Sequence, residues 1–190
     1  MKRRHQIILI GSLFPLCWLA FMSVHAMGHV WGAIASGGTV SKVVVHPLSI
    51  SRTDVSPNPV PLVTVWAGPI VGTVLPLIVW SLTRWFAIRI EYLARFFAGF
   101  CLVANGAYVA FGYLEPVGDA KVMINMGTPG WCLLLFGAVT VPVGFLLWNG
   151  TGPMFGLGDA GGRVDPRDAL LCLVLLLFAL TCTFFVSPRE

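Results

Sequence analysis

Residues 6–36 read QIILIGSLFPLCWLAFMSVHAMGHVWGAIAS, an apolar run without a single Asp, Glu, Lys or Arg. It exceeds the roughly 20 residues that cross the hydrocarbon core of a bilayer, so it predicts a spanning helix that is tilted or projects beyond the lipid. Lys2-Arg3-Arg4 lies before it, and Gly37-Gly38 follows where the helix is expected to stop. Basic residues, an apolar core and Val24-His25-Ala26 also fit a signal peptide cut after Ala26. The length of the run favours a retained span.

The rest of the chain has the same character. Of 190 residues, 57% are hydrophobic and only 11% charged, against about 25% charged in typical soluble domains. A domain this small cannot hide so much apolar surface from water. Four further spans are predicted at 61–82, 92–113, 129–148 and 169–186. Between the first two, residues 39–58 (TVSKVVVHPLSISRTDVSPN) are rich in β-branched residues and end in turn formers. That pattern predicts a small β-hairpin, which must pack on protein or lie at the interface because lipid does not tolerate open sheet edges. The expected fold is an all-α polytopic membrane protein of five transmembrane helices with one β-element, in a single domain over residues 1–190. Ala67-Gly68-Pro69-Ile70-Val71-Gly72, inside the second span, offers small residues against which another backbone can lie closely.

The net charge is +4, and no basic run is interleaved with aromatic residues, which argues against nucleic acid as a partner. The cations bear instead on orientation. A cytoplasmic N-terminus places seven of them inside (Lys2, Arg3, Arg4, Arg84, Arg89, Arg163 and Arg167) and four outside (Lys42, Arg52, Lys121 and Arg189). Trp66, Trp80, Trp85, Trp131 and Trp148 fall near predicted span ends, as interfacial residues do. The five cysteines lie in apolar segments without a C-x-x-C pair and read as small buried hydrophobes.

The chemistry concentrates in His25-Ala26-Met27-Gly28-His29. Residues four apart share a helix face about 5–6 Å from each other, and neutral imidazole is the commonest metal ligand. The spacing is that of H-E-x-x-H, with Ala26 at the position of the Glu. The plainer alternative is a pair of histidines hydrogen-bonded to neighbouring backbone near an interface. A metal site needs a third protein ligand. Asp119, in the polar break 114–128, is the first candidate; Glu115 is the second and Asp54, in the hairpin, a third. Asp119 also fits as the N-cap of a following helical turn. His46, before Pro47, reads as structural. Asn105 sits in the third span, where it either packs against a helix or hydrogen-bonds a substrate backbone.

Taken in order, His25–His29, Ala33, Gly37-Gly38, Val43-Val44-Val45-His46-Pro47 and Ala67-Gly68-Pro69 resemble the site-2 protease family of intramembrane zinc metalloproteases. Gly118-Asp119-Ala120 followed by Met126-Gly127-Thr128-Pro129 is similar to an Asp region of compact members. The resemblance covers about residues 20–130. The family's commoner Asn-x-x-Pro and Leu-Asp-Gly motif is absent. The resemblance implies zinc held by His25, His29 and Asp119, and peptide-bond hydrolysis in or near the membrane. It implies a membrane protein or peptide as substrate or partner. The β-element Val43–Ile50, with Val44 and Ser49, is expected to hold an unwound segment of it by strand addition, since a helical peptide bond is shielded from attack. Ala26 replaces the group that would take the proton from zinc-bound water and later give one to the leaving amine, so the chain is expected to bind zinc and to cleave peptide bonds very slowly or not at all. Ala26 is either a deliberate replacement or the mark of a natural pseudoprotease. The alternative from another class is a non-catalytic structural or assembly subunit of a larger membrane complex.

Overall fold

In lipid every backbone N–H and C=O has to be satisfied within its own segment, which leaves helix as the default for each apolar run. The structure, a computed structural model, describes residues 2–49 and 51–186. It contains α1 (Lys2–Ala35), β1 (Val40–Val44), β2 (Arg52–Val55), α2 (Pro61–Trp85), α3 (Glu91–Leu114), α4 (Gly118–Asn125), α5 (Gly130–Trp148) and α6 (Pro166–Val186). Among the described residues, helices α1, α2, α3, α5 and α6 are the five long and apolar enough to cross a membrane. The predicted spans are recovered with ends moved by a few residues, α1 reaching back to Lys2 and α2 on to Trp85. Ile50 and Arg189 lie outside the described residues.

The hairpin forms where the sequence placed it. Val44 pairs with Arg52, Val43 with Thr53 and Lys42 with Asp54, with an irregularity between Val40 and Lys42. Val44 is fully buried, and Val45 packs against Phe21, Met22 and Cys101. The Thr53 hydroxyl lies 3.4 Å from the carbonyl oxygen of Ala26. The β-element therefore rests on α1, directly over the segment that carries the two histidines.

Small residues set the helix crossings. A Cβ on Gly28 would lie 2.5 Å from the Ala67 carbonyl oxygen, and one on Gly32 would lie 2.5 Å from the Ala67 Cβ. So α1 and α2 touch backbone to backbone, as small residues permit in membranes. On the other side of the bundle, a Cβ on Gly137 would lie 2.8 Å from the Gly106 oxygen, and one on Gly144 2.8 Å from the Gly99 oxygen. That seam joins α3 to α5. At the end of the bundle away from the hairpin, Arg89 bridges Asp165 (2.9 Å) and the buried Asp168 (2.6 Å). Tyr92 donates to the other Asp168 oxygen at 2.8 Å, so the start of α6 is clamped to the start of α3. Two single-turn 3-10 helices, Gly152–Phe155 and Gly158–Ala160, occupy the loop before α6.

These seams predict an asymmetry among glycines. Gly144→Ala is expected to cost about 1–3 kcal/mol through overpacking. Gly11→Ala, whose added Cβ meets nothing within 4 Å, is expected to be neutral or to gain up to about 1 kcal/mol from helix propensity. Thermal unfolding of the two detergent-solubilised variants against wild type measures both.

Candidate metal centre

His25 and His29 sit one turn apart in the C-terminal half of α1, facing α2, α3 and α4. Their outer ring nitrogens are directed by acceptors on two different helices. His29 Nδ1 lies 2.8 Å from the carbonyl oxygen of Thr64 on α2. A carbonyl oxygen only accepts, so Nδ1 carries the proton. His25 Nδ1 lies 2.8 Å from Asn105 Oδ1 on α3. The Asn105 amide is oriented by its other end, which donates to the Cys101 carbonyl at 2.9 Å. His25 Nδ1 is therefore also a donor.

With both Nδ1 atoms protonated, the two neutral rings turn bare Nε2 lone pairs inward. These lie 3.0 Å apart. The third atom is Asp119 Oδ2, 2.9 Å from His25 Nε2 and 3.3 Å from His29 Nε2. Three acceptors thus face one another on largely buried side chains, 9%, 11% and 19% exposed. Acceptors at such distances repel unless a positive charge lies among them. A metal ion or a proton supplies it. Where a proton supplies it, burial still disfavours the Asp119 carboxylate, but hydrogen bonds and charge from the histidines outweigh burial and hold the carboxyl well below the usual carboxylate range.

The triangle suits a metal. A tetrahedral zinc ion with bonds of about 2.0–2.1 Å has ligand-to-ligand edges of about 3.3–3.4 Å, and the observed edges fall at or a few tenths of an ångström below that. The donor set, two imidazole nitrogens and one carboxylate oxygen, would supply three of the four ligands of a tetrahedral ion. The acceptors behind the two imidazoles are those that fix tautomer and orientation in metal sites. Among the described residues this is the one group of three His, Cys, Asp or Glu ligand atoms gathered closely enough to hold an ion.

The small residues of α2 make room for the site. A Cβ on Gly68 would strike the His29 ring, and one on Gly72 would lie 2.7 Å from the Asn105 amide nitrogen. The alternative sequence candidates go elsewhere. Glu115 is exposed as the C-cap of α3, and Asp54 pairs with Arg52 at 2.9 Å in the hairpin. The N-cap of α4 is Val117, so Asp119 lies inside the first turn and does not cap it. Ala26 is 1% exposed and lies beneath the hairpin. Asn105 is fully buried, with both ends of its amide engaged inside the protein. Val44 points into the core. The Ser49 hydroxyl and His46 Nε2 are buried without a hydrogen-bond partner among the described residues, and the His46 ring lies 5.3 Å from that of Phe184. The Thr64 carbonyl and Tyr108 were not visible as site residues, since a backbone acceptor leaves no side-chain signature and a tyrosine in an apolar span looks like any other.

Gly68→Ala is expected to expel the His29 ring from its contact with Thr64 and to cost about 1–3 kcal/mol. A thermal melt, and the chemical shifts of the His29 imidazole, check both effects. Compared with known protein families, with curated proteins and with solved structures, the chain matches none.

Proposed function

We propose that this chain is a membrane-embedded, site-2 protease-like metal protein that holds a zinc ion at His25, His29 and Asp119 and binds membrane-protein segments without cleaving them. What carries the proposal is the convergence of two imidazole Nε2 atoms and one carboxylate oxygen within 3.3 Å of one another. Such a set is costly inside a bundle without a cation. When bound, zinc supplies Lewis acidity and an acidified water. The chain's own residues hold the ligand set rigid through Thr64 and Asn105. They offer no proton acceptor at position 26, where a methyl group stands in the place of the family's carboxylate.

General acid–base catalysis contributes about 10²–10⁴-fold, so the wild-type chain is expected to hydrolyse peptides very slowly or not at all. A membrane segment unwound along the hairpin at Val44 and Ser49 would still be held, because strand addition uses backbone hydrogen bonds. On this proposal the N-terminus is cytoplasmic, as the distribution of the cations favours.

Zinc content of the detergent-purified protein is the direct test. About one zinc per chain is expected, falling to none in His29→Ala. Ala26→Glu is then expected to gain about 10²–10⁴-fold in cleavage of a membrane-peptide reporter. A well-folded sample without zinc, before and after incubation with the metal, would sink the proposal and leave a structural subunit as the reading.

A further inference from the structure

Asp119 is carried by α4, a helix of only eight residues joined to α3 by a short exposed connection. A helix this short does not hold itself together, because nucleation consumes most of what its few hydrogen bonds return. Its first turn leaves backbone donors without partners, and Val117 at the N-cap has no side chain able to take one. The structure gives the second of these donors to another element. The Asp119 N–H points at the hydroxyl of Tyr108, on α3, at 2.9 Å. Gly118, with φ of +52°, makes the turn into α4, and a Cβ on it would collide with that same hydroxyl.

Tyr108 also meets the histidines. Its ring stands edge-on to the His25 ring, 5.8 Å between centroids at 78°. Below the ring, Ala120 and Met123 of α4 are fully buried with Val109 and Leu133. One side chain therefore touches the backbone of one proposed ligand and the ring of another, and the residue beside the first ligand lacks the Cβ that would push this side chain away.

We propose that Tyr108 is a positioning residue of the metal centre: its hydroxyl takes the place of the missing N-cap of α4 and fixes the Asp119 carboxylate against His25 and His29. The proposal rests on the metal-binding reading above and goes beyond it, because that reading needs only the three ligands. Tyr108 does not touch the metal. It sets where the third ligand stands, so its removal loosens a site that stays chemically complete.

The test uses Co²⁺ as a spectroscopic probe on the full-length detergent-purified chain, with affinity and the visible d–d bands as readouts. Tyr108→Phe keeps the ring and deletes only the acceptor. It is expected to weaken Co²⁺ binding about 10–100-fold, as loss of outer-shell partners does, and to change the d–d bands, while the metal-free protein stays folded with a melting temperature lowered only as far as the loss of one cap allows. Gly118→Ala is expected to alter the same bands by driving the hydroxyl away, and to lose less affinity in a Tyr108→Phe background than in wild type. Wild-type affinity and spectrum in Tyr108→Phe overturn the proposal. Should that variant not fold, unchanged bands in Gly118→Ala overturn it. If wild type itself binds no Co²⁺ while His29→Ala behaves identically, the metal reading has failed. If wild type binds one ion and His29→Ala none, that reading stands, and the fate of Tyr108 is decided separately.

Discussion

Three electron-rich atoms held at 2.9–3.3 Å inside an apolar bundle are the constraint on which this structure turns. The low dielectric of the interior makes the repulsion larger than it would be at a surface. The two imidazoles cannot escape it by exchanging tautomers. One Nδ1 proton is held by a backbone carbonyl, and the other by an amide whose own orientation is locked by a second carbonyl. A positive charge at the centre is the remaining solution. A divalent ion leaves the ligand set with a net charge of +1, and a proton leaves it neutral. The three ligand atoms lie close to the face of a tetrahedron, the arrangement that the proposed metal would need.

Helix packing and site construction depend on the same small residues. Gly28 and Gly32 bring α1 against Ala67, which places His29 within reach of the Thr64 carbonyl one turn before it on α2. The space left by Gly68 is filled by the His29 ring, and that left by Gly72 by the Asn105 amide. Two of the missing side chains are thus replaced by parts of the centre. In lipid, where burial of apolar surface does not drive helix association, such close packing and buried hydrogen bonds carry a large share of the cohesion. Damage to the seam and damage to the centre are therefore expected to travel together.

Much of this was legible in the sequence, for identifiable reasons. Long runs without charge have one structural outcome in lipid, so five spans and their order could be read directly, and β-branched residues between turn formers marked the hairpin. His25 and His29 could be paired because helical periodicity is strict. Asp119 could be nominated because it stands in the polar break after the third span, but nothing local said that it would meet the histidines. That contact depends on a crossing between distant segments. Helix α4 was foreseen only as a turn, since its eight residues hold together mainly by burying Ala120 and Met123 against other helices. Thr64 and Tyr108 were invisible. One acts through its backbone, and the other through a hydroxyl whose partner is set by tertiary packing.

Position 26 raises the sharpest chemical question. A metal with an open coordination position is hydrolytic only if something nearby takes a proton from the bound water and returns one to the amine. The neighbours of the centre are already engaged. Asn105 has both ends of its amide in use, the Tyr108 hydroxyl accepts from Asp119, and Glu115 stands exposed at the end of α3. Ala26 is covered by the hairpin, with the Thr53 hydroxyl near its carbonyl and no polar side chain of its own. On the proposed reading, the open position then favours a ligand that needs no deprotonation, such as a peptide carbonyl or carboxylate. Binding such a group neutralises or shares the metal's charge without breaking a bond. On the same proposal, such a centre would recognise a chain that is already unwound, and the hairpin resting on α1 beside it is the element proposed to present one.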